Sequence, residues 1–366
     1  MKNFEELDVN VIKTPPVKDG AELVSGVADM LGFVHQHTNQ VPENKLMPET
    51  FGYMSGLAYC ESMPSVMAFV GSDENNGVCK AQISNDNGQT WKDFGAIPVG
   101  AFNGNIAISA TDPKRIVWTP LAASWTTPAN VKAHFSADGG ETWLPCTGLP
   151  NDNLASLQWS ASQFLVADKM NGKIFYYYNP GFFPNATGVL YRSTDYGENW
   201  ETVFSGLPES WKMKLESVPG KEGELWIATG KTEFLWHSLD SGKTWNTLKN
   251  VTAKSIGFGK AIAPSIEPTL YIYGTIAGNL GAFRSVDQGK SWDSISTRNL
   301  PDPVTDVTGD MRFPGRVYIA TSGRGIFRGD ESEIIAVKPR VAARPDMKLK
   351  ELKKYNLAGR KIKRAR

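Results

Sequence analysis

The sequence contains few of the residues that build metal centres or covalent cross-links. Among 366 residues there are 3 Cys and 4 His. The cysteines, Cys60, Cys79 and Cys146, are an odd number without metal-ligand spacing, which argues against a disulfide framework or a zinc site. His35 and His37 lie two residues apart and would share one face of a strand, but the pair alone is no ligand set. We therefore expect no metal and no cofactor.

Long hydrophobic runs are also missing. No apolar segment approaches the roughly 18 residues that a membrane-spanning helix needs, so no membrane span is expected. The opening MKNFEELDVNV has neither the apolar core nor the small-residue cleavage site of a signal peptide. The chain is 41% hydrophobic and 21% charged, which is typical of a globular protein with a large core.

The net charge of +1 hides an asymmetry along the chain. Residues 338–366 contain 12 Lys and Arg against Asp346 and Glu351, a net charge of +10. The preceding 337 residues therefore carry −9. An acidic body repels phosphates, so we expect no nucleic-acid partner. Residues 331–366 are predicted to form a basic, flexible tail.

Turn-forming and aromatic residues are abundant, with 35 Gly, 22 Pro and 11 Trp, and they favour many short strands. Five segments read S-x-D-x-G-x-[TSN]-W, and successive aspartates in them lie 52, 57, 45 and 47 residues apart. These aspartates are Asp86, Asp138, Asp195, Asp240 and Asp287.

Each segment joins two alternating stretches and is predicted to be the turn of a β-hairpin. The Asp side chain accepts turn N–H groups, the Gly adopts a positive φ, and the Trp covers the hairpin. The motif resembles the Asp-box (BNR) hairpins of sialidases and related β-propellers. We therefore expect these five aspartates to be structural and none of them to be a catalytic acid.

A period of about 45–55 residues fits four strands with their turns, the size of one propeller blade. The boxed units lie near 51–99, 104–150, 153–208, 211–252 and 255–297. Two further units, Ala21–His37 and Val304–Asp330, lack a box. The prediction is an all-β, seven-bladed β-propeller, with six blades as the alternative if the two unboxed segments form one unit. We expect strands from both chain ends to share a blade and close the ring.

The stretch from Thr308 to Asp330 (TGDMRFPGRVYIATSGRGIFRGD) resembles the end of glycoside hydrolase family 74 enzymes. Shorter stretches resemble the same family, among them Asn105–Ser109 and Gly257–Lys260. The resemblance covers about residues 5–330 and includes the spacing of these motifs.

That family comprises xyloglucanases, which cut the β-1,4-glucan backbone of xyloglucan between two seven-bladed propellers in tandem. The chain resembles only the second propeller. The resemblance implies a lead segment like an inter-domain linker at 1–20, a propeller at 21–330 and the tail at 331–366. It implies xyloglucan or a related β-glucan as substrate, and a first propeller supplied upstream or in trans as a partner.

Inverting hydrolysis needs a carboxylic acid and a carboxylate base about 6.5–9.5 Å apart. In the family each propeller supplies one, from a D-I-G-G-[FY]-like segment, and the matching segment here runs from Asp29 to Phe33. The resemblance implies that Asp29 is the general acid, which would need a raised pKa. Leu31 replaces a family glycine and is expected to narrow the site. Asp310 is the nearest internal substitute for the missing base, although a structural role is the stronger interpretation.

Aromatic side chains are the candidate sugar platforms, because sugar rings stack on flat aromatic faces. Trp118 and Trp125 flank a loop rich in Pro and small residues that suits an exposed rim. Tyr176 begins a tyrosine cluster that could extend the cleft. Packing inside a blade is the alternative for Trp118, Trp125 and Tyr176.

The end of the basic tail resembles the sorting tails of secreted proteins in some polysaccharide-degrading bacteria. That implies an extracellular protein, exported by a signal peptide encoded upstream of this chain. The alternative is a tail that only associates with acidic surfaces.

Two other functions remain open from the sequence. The chain could be a non-catalytic carbohydrate-binding or scaffold propeller that has lost catalysis. It could also be an assembly factor of the photosystem type. The stretch from Thr308 to Asp330, called the closing motif below, and Trp118 argue against that role.

Overall fold

The described structure consists of β-strands joined by turns. The computed structural model describes residues 8–40, 42, 44–45, 52–73, 77–121, 131–150, 162–180, 187–210, 212–230, 234–296, 303–330 and 353–354. Within these residues every regular element is a strand, which confirms the all-β prediction. No helix in this part of the chain is long and apolar enough to cross a membrane.

The described strands form six antiparallel sheets, and in every sheet the spatial order follows the order along the chain. Their bounds are β1 (Val9–Lys13), β2 (Leu23–Val27), β3 (Gly32–His35), β4 (Asn44–Lys45), β5 (Gly52–Tyr59), β6 (Met67–Asp73), β7 (Val78–Ser84), β8 (Lys92–Asp93), β9 (Phe102–Ile108), β10 (Ile116–Leu121), β11 (His134–Ser136), β12 (Leu144–Pro145), β13 (Leu165–Ala167), β14 (Phe175–Asn179), β15 (Gly188–Ser193), β16 (Glu201–Leu207), β17 (Lys214–Ser217), β18 (Leu225–Ala228), β19 (Phe234–Ser238), β20 (Asn246–Gly259), β21 (Thr269–Ile276), β22 (Asn279–Ser285), β23 (Asp293–Ser296), β24 (Val304–Gly309), β25 (Val317–Thr321), β26 (Gly325–Gly329) and β27 (Lys353–Lys354).

Five of the sheets contain four strands and one contains seven. The larger sheet arises because β20 is 14 residues long and belongs to two ladders. Its first part pairs with β19, and the part from Val251 to Gly259 pairs with β21. The sheet β17–β23 is therefore two consecutive meanders that share one strand.

The first strands of the meanders contact one another in a cycle. β1 contacts β5, and the contacts continue through β9, β13, β17 and β20 to β24, which contacts β1. Small residues permit this approach: a Cβ on Gly56 would lie 2.8 Å from the carbonyl oxygen of Gly104, and one on Gly257 would lie 2.3 Å from that of Val307. The two ends of the described body therefore meet.

The expectation that both chain ends share one sheet is wrong. Ala21–His37 lies in the first sheet, where β1 pairs with β2, whereas Val304–Asp330 lies in the last sheet. The same separation contradicts the alternative in which these two segments form one unit. Ring closure needs only contact between β1 and β24, not a shared ladder.

Two predicted boundaries also change. β1 lies inside the predicted lead segment 1–20, since Val9–Lys13 pairs with β2 and belongs to the first sheet. At the other end, Lys353 and Lys354 pair with β26 and supply the outer strand of the last sheet. This short strand belongs to the predicted tail, and the remainder of 331–366 lies outside the described residues.

The five Asp boxes are hairpin turns, as predicted. Each box joins the third and fourth strands of a meander, for example where Phe135 pairs with Leu144. In the box of Asp138, the Ser136 hydroxyl donates to the aspartate at 2.8 Å and accepts the Gly140 N–H at 2.8 Å. Thr142 donates its N–H to Oδ1 at 2.9 Å and its hydroxyl to Oδ2 at 2.5 Å.

The other four boxes repeat this pattern of donors and acceptors. Gly140 adopts a φ of 90°, and a Cβ there would lie 2.1 Å from the Phe94 ring. The box aspartates thus use both carboxylate oxygens inside the turn and have none left for catalysis.

The box predicts a dependence of stability on pH. The hydroxyl and N–H of Thr142 lower the pKa of Asp138 from 3.8 to about 2. Because the folded value lies below the unfolded one, this carboxylate stabilises the fold above about pH 4, and its contribution is lost as the pH falls towards 2. Asp138→Asn should remove that dependence, so the difference in unfolding free energy between wild type and variant should shrink over this range in urea titrations.

Asp112→Asn is the matched control, because Asp112 lies in a turn outside the boxes. A difference that stays constant between pH 5 and 2, within the precision of linear extrapolation, would contradict the stabilising role of the ionised box aspartate.

Candidate active site

Asp29 lies on the turn between β2 and β3, beside the start of β1. The register pairs Val9 with Val27, so the end of β2 lies next to the beginning of the innermost strand. Asp29 adopts a left-handed φ of 72° and is partly exposed. Asp and Asn tolerate this conformation better than most side chains. The turn thus presents the carboxyl group at one end of the ring of strands.

The environment of Asp29 favours its protonated form. Partial burial raises its pKa above the ordinary value of 3.8, and the negative charge of Asp8 raises it further. A general acid needs this direction of shift, because it must hold a proton at the working pH. The described structure therefore places an aspartate whose pKa is shifted in this direction on a partly exposed turn.

Leu31 does not narrow this site, contrary to the expectation from the sequence. Its side chain is fully buried in a cluster with Val34, Met54 and Phe69. Room for it comes from two glycines: a Cβ on Gly71 would lie 2.9 Å from a Leu31 methyl carbon, and one on Gly52 would lie 3.2 Å from its Cγ. Leu31 keeps a φ of 55°, a conformation that suits the glycine of the family pattern.

Two of the predicted sugar platforms lie in the core. Trp118 is fully buried, donates its indole N–H to the Asn103 carbonyl at 2.8 Å and meets Trp143 edge-on at 5.6 Å. Tyr176 is also fully buried, and burial raises the pKa of its hydroxyl. The prediction that these rings stack on a sugar is wrong, because neither has an exposed face. Trp125 lies outside the described residues.

A central cavity lies where the first strands of the meanders end. It is lined by Lys13, Tyr59, Glu61, Lys169, Glu216 and Met311, among others. Its volume of about 80 Å³ is far below the ~300 Å³ of a small ligand pocket and suits a few water molecules. Since Asp29 lies beside the start of β1 and this cavity lies at the strand ends, the cavity is not part of the candidate site.

A network of buried charges connects the first strands beneath this cavity. Lys214 donates to Asp306 at 2.5 Å and lies 3.4 Å from Glu216. The other oxygen of Asp306 accepts the Ile12 N–H at 3.0 Å and the Gln163 amide at 3.1 Å. One carboxylate thus holds residues from β1, β17 and β24, together with Gln163 just before β13.

The electrostatics of the network keep its charges paired. Burial alone would raise the pKa of Glu216, but Lys13, Lys169 and Lys214 lower it to about 2. Burial lowers the pKa of Lys13, and Glu216 opposes that shift. For Lys214, Asp306 and Glu216 outweigh burial and raise the pKa. The network therefore links Lys214 to both Asp306 and Glu216 through buried ion pairs.

Asp310 is structural and lies far from Asp29 in the topology. It follows β24, at the end of the inner strands opposite to the start of β1. The fully buried carboxylate accepts the N–H groups of Arg312 and Phe313 at 2.7 and 3.2 Å and the Tyr318 hydroxyl at 3.2 Å. Arg312 in turn donates to the carbonyls of Val17 and Gly20 at 3.2 Å. The closing motif thus ties the last sheet to the first.

The described residues contain no group of three or more His, Cys, Asp or Glu side chains that could hold a metal ion. His35 instead contacts the Ser25 hydroxyl at 2.9 Å, and burial lowers its pKa to about 4. Sequence reasoning missed Asp8, the neighbour of Asp29. A lone aspartate at the start of a strand carries no motif, and its proximity depends on the pairing of β1 with β2.

Comparison with known proteins gives two kinds of match. The family model of Photosynthesis system II assembly factor YCF48 matches residues 151–333, and the BNR/Asp-box repeat model matches residues 82–93. A xyloglucanase of Paenibacillus sp is 36% identical over 90% of this chain and 30% of its own length. A xyloglucanase of Acetivibrio thermocellus is 37% identical over 92% of this chain and 37% of its own length.

The crystal structure of a GH74 enzyme from Niastella koreensis superimposes with a TM-score of 0.73 at 28% identity, over 91% of this chain and 44% of that one. The xyloglucanase of Xanthomonas campestris gives the same TM-score at 27% identity, over 89% and 43%. The chain therefore spans about a third of the length of the curated relatives that it matches and less than half of these structures.

The hairpin boxes and the family model covering residues 151–333 define the class, an all-β Asp-box repeat protein. The chain belongs to the family of that model, which covers half of it, and it is also similar to the xyloglucanases and to a GH74 enzyme, in agreement with the resemblance seen in the sequence.

The buried network predicts a strong and specific effect on stability. Asp306→Asn should lower the unfolding free energy by about 3–5 kcal/mol, because it leaves the buried Lys214 without its 2.5 Å partner. Asp293→Asn is the matched control: Asp293 is 65% exposed and lies 3.3 Å from Arg284, so the loss should stay within about 1 kcal/mol. Urea denaturation of the three proteins measures both values, and equal losses would contradict a structural role for the network.

Proposed function

We propose that the chain is a seven-bladed β-propeller. The seven blades would be the five four-stranded sheets and the two meanders that share β20. The cycle of contacts among the seven inner strands supports this count. The ring would leave Asp29 at one end and the central cavity at the other.

We propose further that the chain is the second-propeller half of a glycoside hydrolase that cleaves the β-1,4-glucan backbone of xyloglucan. The observation that carries this proposal is the identity of 36–37% with two xyloglucanases over at least 90% of the chain. The photosystem assembly model covers only residues 151–333, so it accounts for less of the sequence.

Asp29 is the group that would donate a proton to the leaving glycosidic oxygen. Its partial exposure gives access to a polysaccharide, and its raised pKa favours the acid form. Inversion requires a second carboxylate that activates water about 6.5–9.5 Å away. A first propeller, supplied upstream or in trans, would provide that base.

The binding surface would lie at the Asp29 end of the ring. Trp125 remains the proposed sugar platform from the sequence, because Trp118 and Tyr176 are buried in the core. Action on a plant cell-wall polymer implies an extracellular location, and the basic tail would serve as its sorting signal.

A non-catalytic carbohydrate-binding or scaffold propeller is the alternative function. Asp29 is the candidate acid, and Asp310 cannot serve as its base because the Asp310 carboxylate accepts the N–H groups of Arg312 and Phe313. This favours binding without turnover when the chain acts alone. A lost general base typically costs about 10²–10⁴-fold in rate.

The decisive experiment is an assay of oligosaccharide release from xyloglucan. The chain alone should release oligosaccharides only slowly. Addition of the first propeller of a glycoside hydrolase family 74 enzyme should raise that rate by about 10²-fold or more. Asp29→Asn should abolish that gain, because an amide cannot donate the proton.

Asp112→Asn serves as the control, since Asp112 lies on the β9–β10 turn and outside the candidate site. Binding of xyloglucan without turnover under both conditions would support the non-catalytic alternative. Absence of both binding and turnover, with the fold intact by circular dichroism, would contradict both functions.

A further inference from the structure

The turn that carries Asp29 is held by two other segments of the chain. The N–H of Ala28 donates to the Asp8 carbonyl at 2.8 Å. Gly52, at the start of β5, donates its N–H to the Asp29 carbonyl at 3.3 Å and accepts the Leu31 N–H at 3.0 Å. The position of the Asp29 carboxyl group is therefore set by the starts of β1 and β5 as well as by its own hairpin.

Asp8 is itself anchored to the last sheet. It forms an antiparallel bridge with Ser322, and the Ser322 hydroxyl donates to its carboxylate. The Thr305 hydroxyl donates to the carbonyl of the adjacent Val9. These contacts keep the exposed Asp8 beside the β2–β3 turn.

Among the residues that the structure describes, three charged groups lie on the elements around this turn. Asp8 precedes β1, the buried Asp73 ends β6 opposite Gly52, and the exposed Arg324 lies on the β25–β26 turn next to Ser322. Of these, Asp8 is the charge that acts on Asp29 and raises its pKa, in addition to burial. A negative charge close to a carboxyl group disfavours ionisation of that group.

We propose that Asp8, fixed by Ser322, is a positioning residue for Asp29: it holds the Asp29 turn through the Ala28 N–H and places a negative charge beside the Asp29 carboxyl group. Asp8 contributes through its charge and through the hydrogen bond to Ala28, and it neither touches the sugar nor exchanges a proton with it. This inference rests on the proposed function for its purpose, since a general acid must carry its proton into the reaction. The coupling itself is a property of the free protein and is measurable without substrate.

The test is a pH titration of the Asp29 carboxyl carbon by NMR on the full chain, with the resonance assigned from Asp29→Asn. Asp8→Asn removes the charge and keeps the shape, so the midpoint for Asp29 should fall. Ser322→Ala should give a smaller fall, because the released Asp8 carboxylate relaxes towards solvent. Asp19→Asn, on the β1–β2 turn at the other end of the same sheet, should leave the midpoint unchanged.

A second measurement needs no variant. Raising the salt concentration from about 0.01 M to about 1 M shortens the Debye length from about 30 Å to about 3 Å and screens the Asp8 charge. The wild-type midpoint should then fall towards that of Asp8→Asn. This arm keeps the inference falsifiable if Asp8→Asn does not fold.

The outcomes separate the inference from the proposed function. If the Asp29 midpoint is the same in wild type and Asp8→Asn, the positioning role is wrong even if xyloglucan is cleaved. If the variant is unfolded, a wild-type midpoint that does not change with salt concentration leads to the same conclusion. A lowered midpoint supports the coupling even if no cleavage is found. With a first propeller present, the alkaline limb of the rate profile should move to lower pH in Asp8→Asn by the same amount as the titration midpoint.

Discussion

The buried carboxylate of Asp306 is the contact on which the rest of the structure depends. It binds Lys214 and the Ile12 N–H, and it meets the Gln163 amide and, at 3.2 Å, the Ser255 hydroxyl. Buried charges are tolerated only when partners satisfy them, so this carboxylate forces five segments of the chain to converge. One of those segments is β1, which Asp8 directly precedes. The network therefore also fixes the position of Asp8 and, through it, the position of the Asp29 turn.

The two ends of the ring differ in the hydrogen bonding of their carboxyl groups. The end with the boxes is built from aspartates whose oxygens are used within the turn, and the closing motif joins Asp310, Arg312 and the carbonyls of Val17 and Gly20. At the other end Asp29 is partly exposed and favours its protonated form. Satisfied carboxylates stabilise the fold, whereas an incompletely satisfied one is available for chemistry.

The length of the chain relative to its relatives shapes the proposed mechanism. It spans about a third of the curated xyloglucanases, and its candidate acid, Asp29, is a partly exposed carboxyl group beside Asp8. A carboxylate so close to Asp29 influences its protonation, while an inverting base must stand far enough away to admit water. Asp8 is therefore proposed to act on the protonation of Asp29, and a first propeller is the proposed source of the base.

The repeat alone determined the strands and the hairpin boxes, because every contact in a box lies within four residues and depends on residue type. Asp29 came from the family resemblance and not from the repeat. Only the tertiary structure decided the rest. Trp118, Tyr176 and Leu31 are buried because neighbouring strands cover both faces of their sheets, which local alternation does not encode. The proximity of Asp8 to Asp29 depends on the pairing of β1 with β2, and the contact of Asp8 with Ser322, 314 residues away, exists because the last sheet closes against the first.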